Sequence, residues 1–321
     1  MTREAFDRAL DDRFGTRVRR HAPLAPLTTF KVGGAADWLL DIQAADDVQA
    51  ALGLASEYAI AVAVLGGGSN VLVPDDGIRG LVIRLHGGSV SQLAADRIRA
   101  GGGVTINGLV RWTVSHGLAG LEAWAGTPGT VGGAVHGNAH FRGRLISELI
   151  ASVTLISRGG ELRHVPVAEM ELGYDTSRLH RTGEIVVAAD FIVFAGAPEP
   201  LRAIARDSLA FRKRTQPLAS PSAGCIFQNP DPSRDAVPAG IPPSAGALVD
   251  RAGLKNATDG GARVSPTHGN FIVNDGGATA ASVKALIDRC KTTVRERFGV
   301  ELREEIVYLE AAASARGEGH E

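Results

Sequence analysis

The sequence predicts an α+β protein of at least two folding units, and three observations lead there. A βαββ-like pattern of apolar runs and one amphipathic segment occupies residues 1–86; short strands with a single helix follow to residue 196; and a long amphipathic helix closes a third stretch rich in Pro and Ser. With 321 residues, 44% of them hydrophobic, the chain has material for more than one core and exceeds an ordinary single domain.

Residues 1–20 are polar and charged, and read as a short helix or a loose lead-in. Trp38 to Ile42 reads as a strand after Gly33-Gly34. Ala44 to Tyr58 reads as a helix, with Asp46 and Asp47 at the positive end of its dipole. Ala59 to Leu65 is a continuous apolar run stopped by glycine, the pattern of a buried strand, and Val71–Val73 and Leu81–Leu85 add two more. Thr105 to His116 is a helix with Ile106, Leu109, Val110 and Val114 on one face; Ala151–Ser157 and Ile185–Phe194 are strands. Pro198 and Pro200 mark a break before a helix from Leu201 to Arg214, with Leu201, Ile204 and Leu209 at its apolar positions. The last helix, Thr279 to Phe298, carries Val283, Leu286, Ile287, Cys290 and Val294 at helical spacing, which assigns Cys290 to the core. Glu301 to Leu309 reads as a closing strand, and residues 311–321 as a disordered tail.

Charge and composition exclude several functions. Lys plus Arg number 34 against 35 Asp plus Glu, so there is no basic surplus for a nucleic-acid partner. Cys225 and Cys290 cannot form a disulfide framework. No apolar run approaches the ~20 residues of a membrane helix. A soluble, cytoplasmic protein is expected, with no membrane partner and no requirement for an oligomer. The tightest histidine spacing, His136 and His140, has no carboxylate close by in sequence, so no metal site is expected.

Glycine is abundant, at 40 residues, and clusters at Gly33-Gly34, Gly66-Gly67-Gly68, Gly101-Gly102-Gly103 and Gly132-Gly133. Four such clusters point to backbone that approaches a ligand closely. Leu65-Gly-Gly-Gly-Ser-Asn70 lies between two strands, so it is neither a Rossmann fingerprint nor a P-loop. It reads as a nest of N–H groups for an anion such as a pyrophosphate, with Ser69 and Asn70 as added donors, or as a tight hairpin. The small residues of Gly126 to Ala134 offer a flat surface for a ring system or a diphosphate. Two such loops are placed to clamp an extended dinucleotide.

Six ordered motifs carry a resemblance: Thr28-Thr-Phe-Lys-Val-Gly-Gly-Ala-Ala36, Leu65 to Val73, Ala125 to Val135, Pro221-Ser-Ala-Gly-Cys-Ile-Phe-Gln-Asn-Pro230, Ala245 to Lys255, and Val264-Ser-Pro-Thr-His-Gly-Asn-Phe-Ile-Val-Asn274. Together they resemble the UDP-N-acetylenolpyruvoylglucosamine reductases of bacterial peptidoglycan precursor synthesis, over residues 22–309. The resemblance implies a two-part FAD-binding unit of the vanillyl-alcohol-oxidase (PCMH) type plus a C-terminal α+β substrate domain, without an inserted loop bearing a capping tyrosine. The implied domains are residues 1–86 and 87–214 for FAD, the second completed by a returning strand at 299–310, and residues 215–298 for substrate. FAD would be held non-covalently by Gly66, Gly67, Gly68, Ser69, Asn70, Thr127, Pro128, Gly129, Thr130, Gly132 and Gly133.

The implied reaction uses NADPH to reduce the enolpyruvyl ether of UDP-N-acetylglucosamine to a lactyl ether. It needs a neutral acid for one carbon and donors for the enolate. Cys225 stands where the family usually has a serine acid, and Glu305 matches its C-terminal glutamate, with Glu304 as the neighbouring alternative. Lys213, Arg214, Asn229, His268 and Asn270 are the implied substrate contacts; a structural turn is the competing reading for His268 and Asn270. Two departures stand out. Tyr174-Asp175-Thr176-Ser177 has an acid where the family has an arginine for the enolate, leaving Arg178 or Arg181 as substitutes. Thr215 stands where the family often has a basic residue before Gln216-Pro217, with Lys213 and Arg214 near enough to replace it as diphosphate contacts; a third, smaller change is Asn138-Ala139-His140 in place of the usual Asn-Ala-Gly. Two other readings stay open: an FAD oxidase or dehydrogenase of the same fold with another substrate, and a non-catalytic paralogue that binds UDP-sugars.

Overall fold

In the computed structural model, which describes residues 2–312, the chain forms three blocks, each with its own sheet. The first opens with a helix, Arg3–Phe14, N-capped by Thr2, whose Phe6 ring meets Trp38 edge-on at 5.0 Å. The lead-in is therefore an anchored helix, followed by an unforeseen strand, Val18–Pro23. The four-stranded sheet runs Val18–Pro23, Ala35–Ile42, Ile78–Leu85, Val62–Leu65, with the last three parallel. Helix Ala45–Glu57 buries Val48, Ala51, Leu52 and Ala55. The strand expected from Ala59 begins only at Val62, because Ala59 takes a left-handed φ of 55° to turn the chain out of the helix.

The second block is a five-stranded antiparallel sheet ordered Leu162–Pro166, Ile150–Ile156, Ile185–Ile192, Arg97–Gly101, Val90–Ala94. Helix Ile106–Ser115 is capped by the Thr105 hydroxyl, which accepts the Gly108 N–H at 3.0 Å. It buries Ile106, Leu109, Val110, Thr113 and Val114, the face the periodicity predicts. A short helix, Val131–His136, lies inside the second glycine segment, where glycine content hides any periodicity. Helix Pro198–Thr215 buries Leu201, Ser208 and Arg212 along one face. Of the apolar positions named there, Leu201 is buried, while Ile204 and Leu209 lie on the flanks, 44% and 37% exposed. The stripe fails because the inner face is continued by Ser208 and Arg212, which apolar periodicity does not register.

The third block packs helices Ala245–Arg251 and Ala280–Phe298 on a three-stranded sheet of Thr258–Asp259, Ala262–Val264 and Ile272–Asn274. Cys290 is buried on the helix stripe, as expected. This core also takes in Phe30, Val32 and Leu72 from the first block, so the two blocks share apolar surface.

The closing strand is corrected in extent and destination. Only Val307–Tyr308 is a strand, and it pairs in parallel with Val71–Leu72 of the first block rather than completing the second. The second block's sheet is already made of strands from 90–192 alone. Val300, Leu302 and Ile306 are buried with the third block and Leu309 with the first, so the closing segment sews those two together. Of the expected disordered tail, Ala311 packs on the first block and Ala312 exchanges backbone hydrogen bonds with Val62; residues 313–321 lie outside the described residues.

Asp75 in the first block accepts the N–H groups of Ala280 and Ala281 at 2.7 and 2.9 Å, capping the third block's long helix across the block boundary. Asp75→Ala is expected to destabilise the protein by about 1 kcal/mol, since the Thr279 cap remains. Urea unfolding of the variant and parent measures the difference.

Candidate active site

The two glycine loops meet directly. A Cβ on Gly67 would lie 2.5 Å from the Gly129 Cα, and one on Gly66 would lie 2.6 Å from the Thr130 hydroxyl oxygen. The glycines are thus required by loop-against-loop packing, whatever else binds there. Among the described residues, no protein group accepts the backbone N–H of Gly66, Gly67, Gly68, Ser69 or Asn70. Five successive unpartnered donors between two strands suit an oxyanion, which is the form of a dinucleotide's diphosphate. The second segment is different: the Thr127 and Gly132 N–H groups already serve the Trp124 and Gly102 carbonyls at 3.0 and 2.8 Å, and Pro128 has none. Among the described residues the N–H groups of Gly129 and Thr130 have no protein acceptor, so this segment offers two further donors as well as shape. The indole N–H of Trp124 and the Nε of Arg212 are buried without a partner beside it. These features fit FAD.

Beyond the loops, the closing segment brings the chemistry together. The Asn70 side-chain amide donates to the Glu305 carbonyl at 3.1 Å, and the Glu305 N–H donates to the Ile226 carbonyl at 2.8 Å, next to Cys225. Along this extended stretch successive side chains face opposite ways, which sends the two glutamates into different surroundings. Glu304 turns to the long helix, where its carboxylate accepts from Lys291 at 2.7 Å and from the Tyr308 hydroxyl at 2.6 Å. Glu305 turns to Cys225, Asp175 and His140.

Cys225 keeps some accessible surface, but protein atoms crowd its thiol. That burial, with Glu305 and Asp175 nearby, pushes its pKa well above the usual thiol range, against a smaller opposing pull from Arg212. The thiol stays protonated more firmly than an ordinary cysteine's. Burial first, and the Asp175 charge second, raise the Glu305 carboxyl, while His140 opposes. His140 Nδ1 lies 3.0 Å from Asp175 Oδ1, and that hydrogen bond raises the imidazole's pKa against desolvation, aided by the charges of Asp175 and Glu305. One imidazole nitrogen and two carboxylates of His140, Asp175 and Glu305 lie within 4.8 Å of one another, a juxtaposition invisible in the sequence spacing.

The other expected contacts divide. Asn229 accepts from the Ala245 N–H at 3.1 Å and has its amide 3.5 Å from the Tyr174 hydroxyl, at the edge of the cluster. Asn270 is buried: it accepts the Phe227 N–H at 2.8 Å and donates to the Phe227 carbonyl at 2.7 Å, clamping the loop that carries Cys225. His268 accepts the Asn270 N–H at 3.3 Å and packs edge-on against Phe271, a turn-stabilising role. Lys213 and Arg214 face solvent. Their neighbour Arg212 is the buried one; it stacks 3.8 Å over Phe141 and donates to the Thr127 hydroxyl at 2.7 Å, with burial lowering its pKa to about 10. Helical spacing from Leu201 through Ser208 was the available signal for it. Arg178 and Arg181 do not reach the cluster: Arg178 forks onto Glu184 at 2.9 and 3.1 Å, and Arg181 pairs with Glu171.

Comparison with known proteins agrees with this architecture. A family model described as an FAD binding domain matches residues 38–166, which makes the chain a flavin-dependent oxidoreductase in class, of the α+β fold expected. A second, UDP-N-acetylenolpyruvoylglucosamine reductase, C-terminal domain, matches residues 216–309. The chain belongs to the UDP-N-acetylenolpyruvoylglucosamine reductase family. The relative of that name from Bacillus subtilis is 37% identical, over 92% of this chain and 95% of its own; the one from Heliobacterium modesticaldum is 42% identical, over 88% of each. The crystal structure of the Thermus caldophilus enzyme superposes with a TM-score of 0.75 at 33% identity, covering 91% of this chain and 98% of that one.

Because the glycine loops touch through backbone, Gly67→Ala is expected to lower the melting temperature of the flavin-stripped protein as well as its bound flavin. A variant that loses flavin but melts with the stripped parent would place Gly67 at the ligand only.

Proposed function

We propose that this chain reduces UDP-N-acetylglucosamine enolpyruvate to UDP-N-acetylmuramate, with Cys225 as proton donor and Glu305 as the group that polarises the developing enol. When bound, FAD supplies hydride, drawn from NADPH and delivered to the substrate's vinyl carbon. The chain's own part is to hold the cofactor's diphosphate on the N–H groups of Gly66 to Asn70, orient the enolpyruvyl group, and keep a proton beside its second carbon. A thiol held protonated by burial suits the last task, since it carries its proton at any physiological pH. The same burial makes it a poor thiolate nucleophile. Glu305, raised above the normal carboxylate range, keeps a share of its own proton to hydrogen-bond an enol oxygen.

The observation that carries this reading is the pair of bonds from Asn70 to Glu305 and from Glu305 to Ile226, which joins the proposed cofactor loop to the segments bearing both acid groups. A UDP-sugar and NADPH are cytoplasmic metabolites, so the proposed reaction places the enzyme in the cytoplasm. The cluster is assembled from one chain, so the proposed chemistry requires no oligomer, and the near-neutral net charge gives nucleic acid no purchase. Among the described residues no helix is long and apolar enough to cross a membrane.

The two halves of the reaction are separable in anaerobic stopped flow. Cys225→Ala is expected to bleach with NADPH at the parent rate, and to reoxidise with the enolpyruvyl sugar about 10²–10⁴-fold more slowly, the usual cost of losing a general acid. Cys225→Ser should recover part of that loss. Parent-like reoxidation of Cys225→Ala would make the thiol a packing residue.

A further inference from the structure

The active-site cluster places two carboxyl groups where further negative charge must develop, one of them, Glu305, held toward its protonated form by burial. Asp175 and Glu305 both face it, and reduction of the enolpyruvyl double bond moves an electron pair toward the substrate's own carboxylate. Two cations lie near. Arg212 is already engaged, stacked on Phe141 and bonded to Thr127. His140 is the other, and two hydrogen bonds between loops fix its position. Asn138, two residues before it, is fully buried in a left-handed conformation (φ 45°) and donates to the Gly173 carbonyl at 2.7 Å, two residues before Asp175. The Ser177 hydroxyl, two residues after Asp175, donates back to the His136 carbonyl at 2.6 Å. Between these two bolts, Asp175 itself sits left-handed (φ 51°) in the Gly173–Thr176 turn, a conformation that costs a non-glycine residue energy, so that its carboxylate meets the imidazole. The Asp175 side chain is only 8% exposed, and its second oxygen has no partner. The Tyr174 ring packs on His140 at 4.7 Å between centroids.

We propose that His140, oriented by its hydrogen bond to Asp175, is the cationic group that binds the substrate's carboxylate and stabilises the charge formed there during reduction. Asp175 is then a positioning residue acting through His140. The inference rests on the proposed function and adds a residue to it. In the step concerned, the vinyl carbon gains hydride, the π pair moves onto the second carbon and its carboxylate, and that carbon then takes the Cys225 proton. His140 gives up no proton; its charge offsets the enolate until protonation. The two sequence departures at positions 140 and 175 are thus one device, an imidazolium–carboxylate pair assembled across two loops.

The groups facing His140 are Asp175, Glu305, Arg212 and Tyr174, with Cys225 behind them. A histidine raised by its partner carries charge below its pKa and loses it as pH rises. Reoxidation of the reduced parent by the enolpyruvyl sugar should therefore fall on an alkaline limb, while bleaching by NADPH does not follow that limb. His140→Gln, which keeps volume and hydrogen bonding without charge, should abolish the limb and slow reoxidation about 10²-fold, the scale of losing one charge-stabilising donor. Its flavin content and NADPH bleaching rate, within about twofold of the parent, report that it is folded. Asp175→Asn should move the limb to lower pH, and should add less than about twofold in the His140→Gln background. The proposal is overturned if His140→Gln reoxidises at the parent rate, or if the limb persists unshifted, which would assign it to Glu305 or Cys225. It is overturned equally if Asp175→Asn costs as much in the His140→Gln background as in the parent. A chelator that stops reoxidation, with a divalent cation restoring it, also overturns it, because the trio would then be metal ligands. A parent whose reduced flavin is not reoxidised by the sugar at all overturns instead the reading of function beneath it.

Discussion

The closing segment of the chain, residues 303–309, holds the site together through its backbone. Its N–H groups bond to Ile226 on one side and to Asn70 and Leu72 on the other, so one extended stretch joins the third block to the first. Backbone hydrogen bonds fix register, and register in an extended chain fixes which side chains face which way. A slip of one residue would exchange Glu304 for Glu305 at the cluster, trading a buried acid beside Cys225 for one paired to Lys291 and Tyr308. The position of the glycine loop, through Asn70, depends on the same bonds.

The electrostatics follow from that placement. Burial beside Asp175 disfavours the negative forms of the Cys225 thiol and the Glu305 carboxyl, so both are held toward their protonated states. Positive charge enters from Arg212, fixed by stacking, and from His140, fixed by Asp175. Nearby, His136 packs 4.3 Å from His180, and burial drives its pKa down to about 4, so that ring stays neutral and supplies shape only. Two histidines four residues apart thus meet opposite environments, one with a carboxylate partner and one without.

Much of this was legible from residue order. Periodicity alone located the helices at 106–115 and 280–298 with their buried faces, because apolar side chains recur at the spacing a helix demands. Glycine clustering marked both loops that meet at Gly67 and Gly129, because only glycine permits backbone to pack so closely on backbone. Periodicity misled on helix 198–215, where a buried serine and arginine continue the inner face, and it missed helix 131–136, whose glycines leave no stripe. Motif order pointed to Cys225 and Glu305, and to Lys213 and Arg214, which face solvent beside the buried Arg212.

By itself, then, the sequence determined the α+β class, the two glycine loops and the family of enzymes they resemble. All of these rest on local pattern or on ordered motifs. Tertiary structure alone decided which glutamate faces the thiol, that the last strand closes on the first block, and that His140 meets Asp175. Each depends on contacts between residues some 35 to 235 positions apart. Local propensity carries no information about such pairs; the packing of whole blocks, and the hydrogen-bond register between them, selects them.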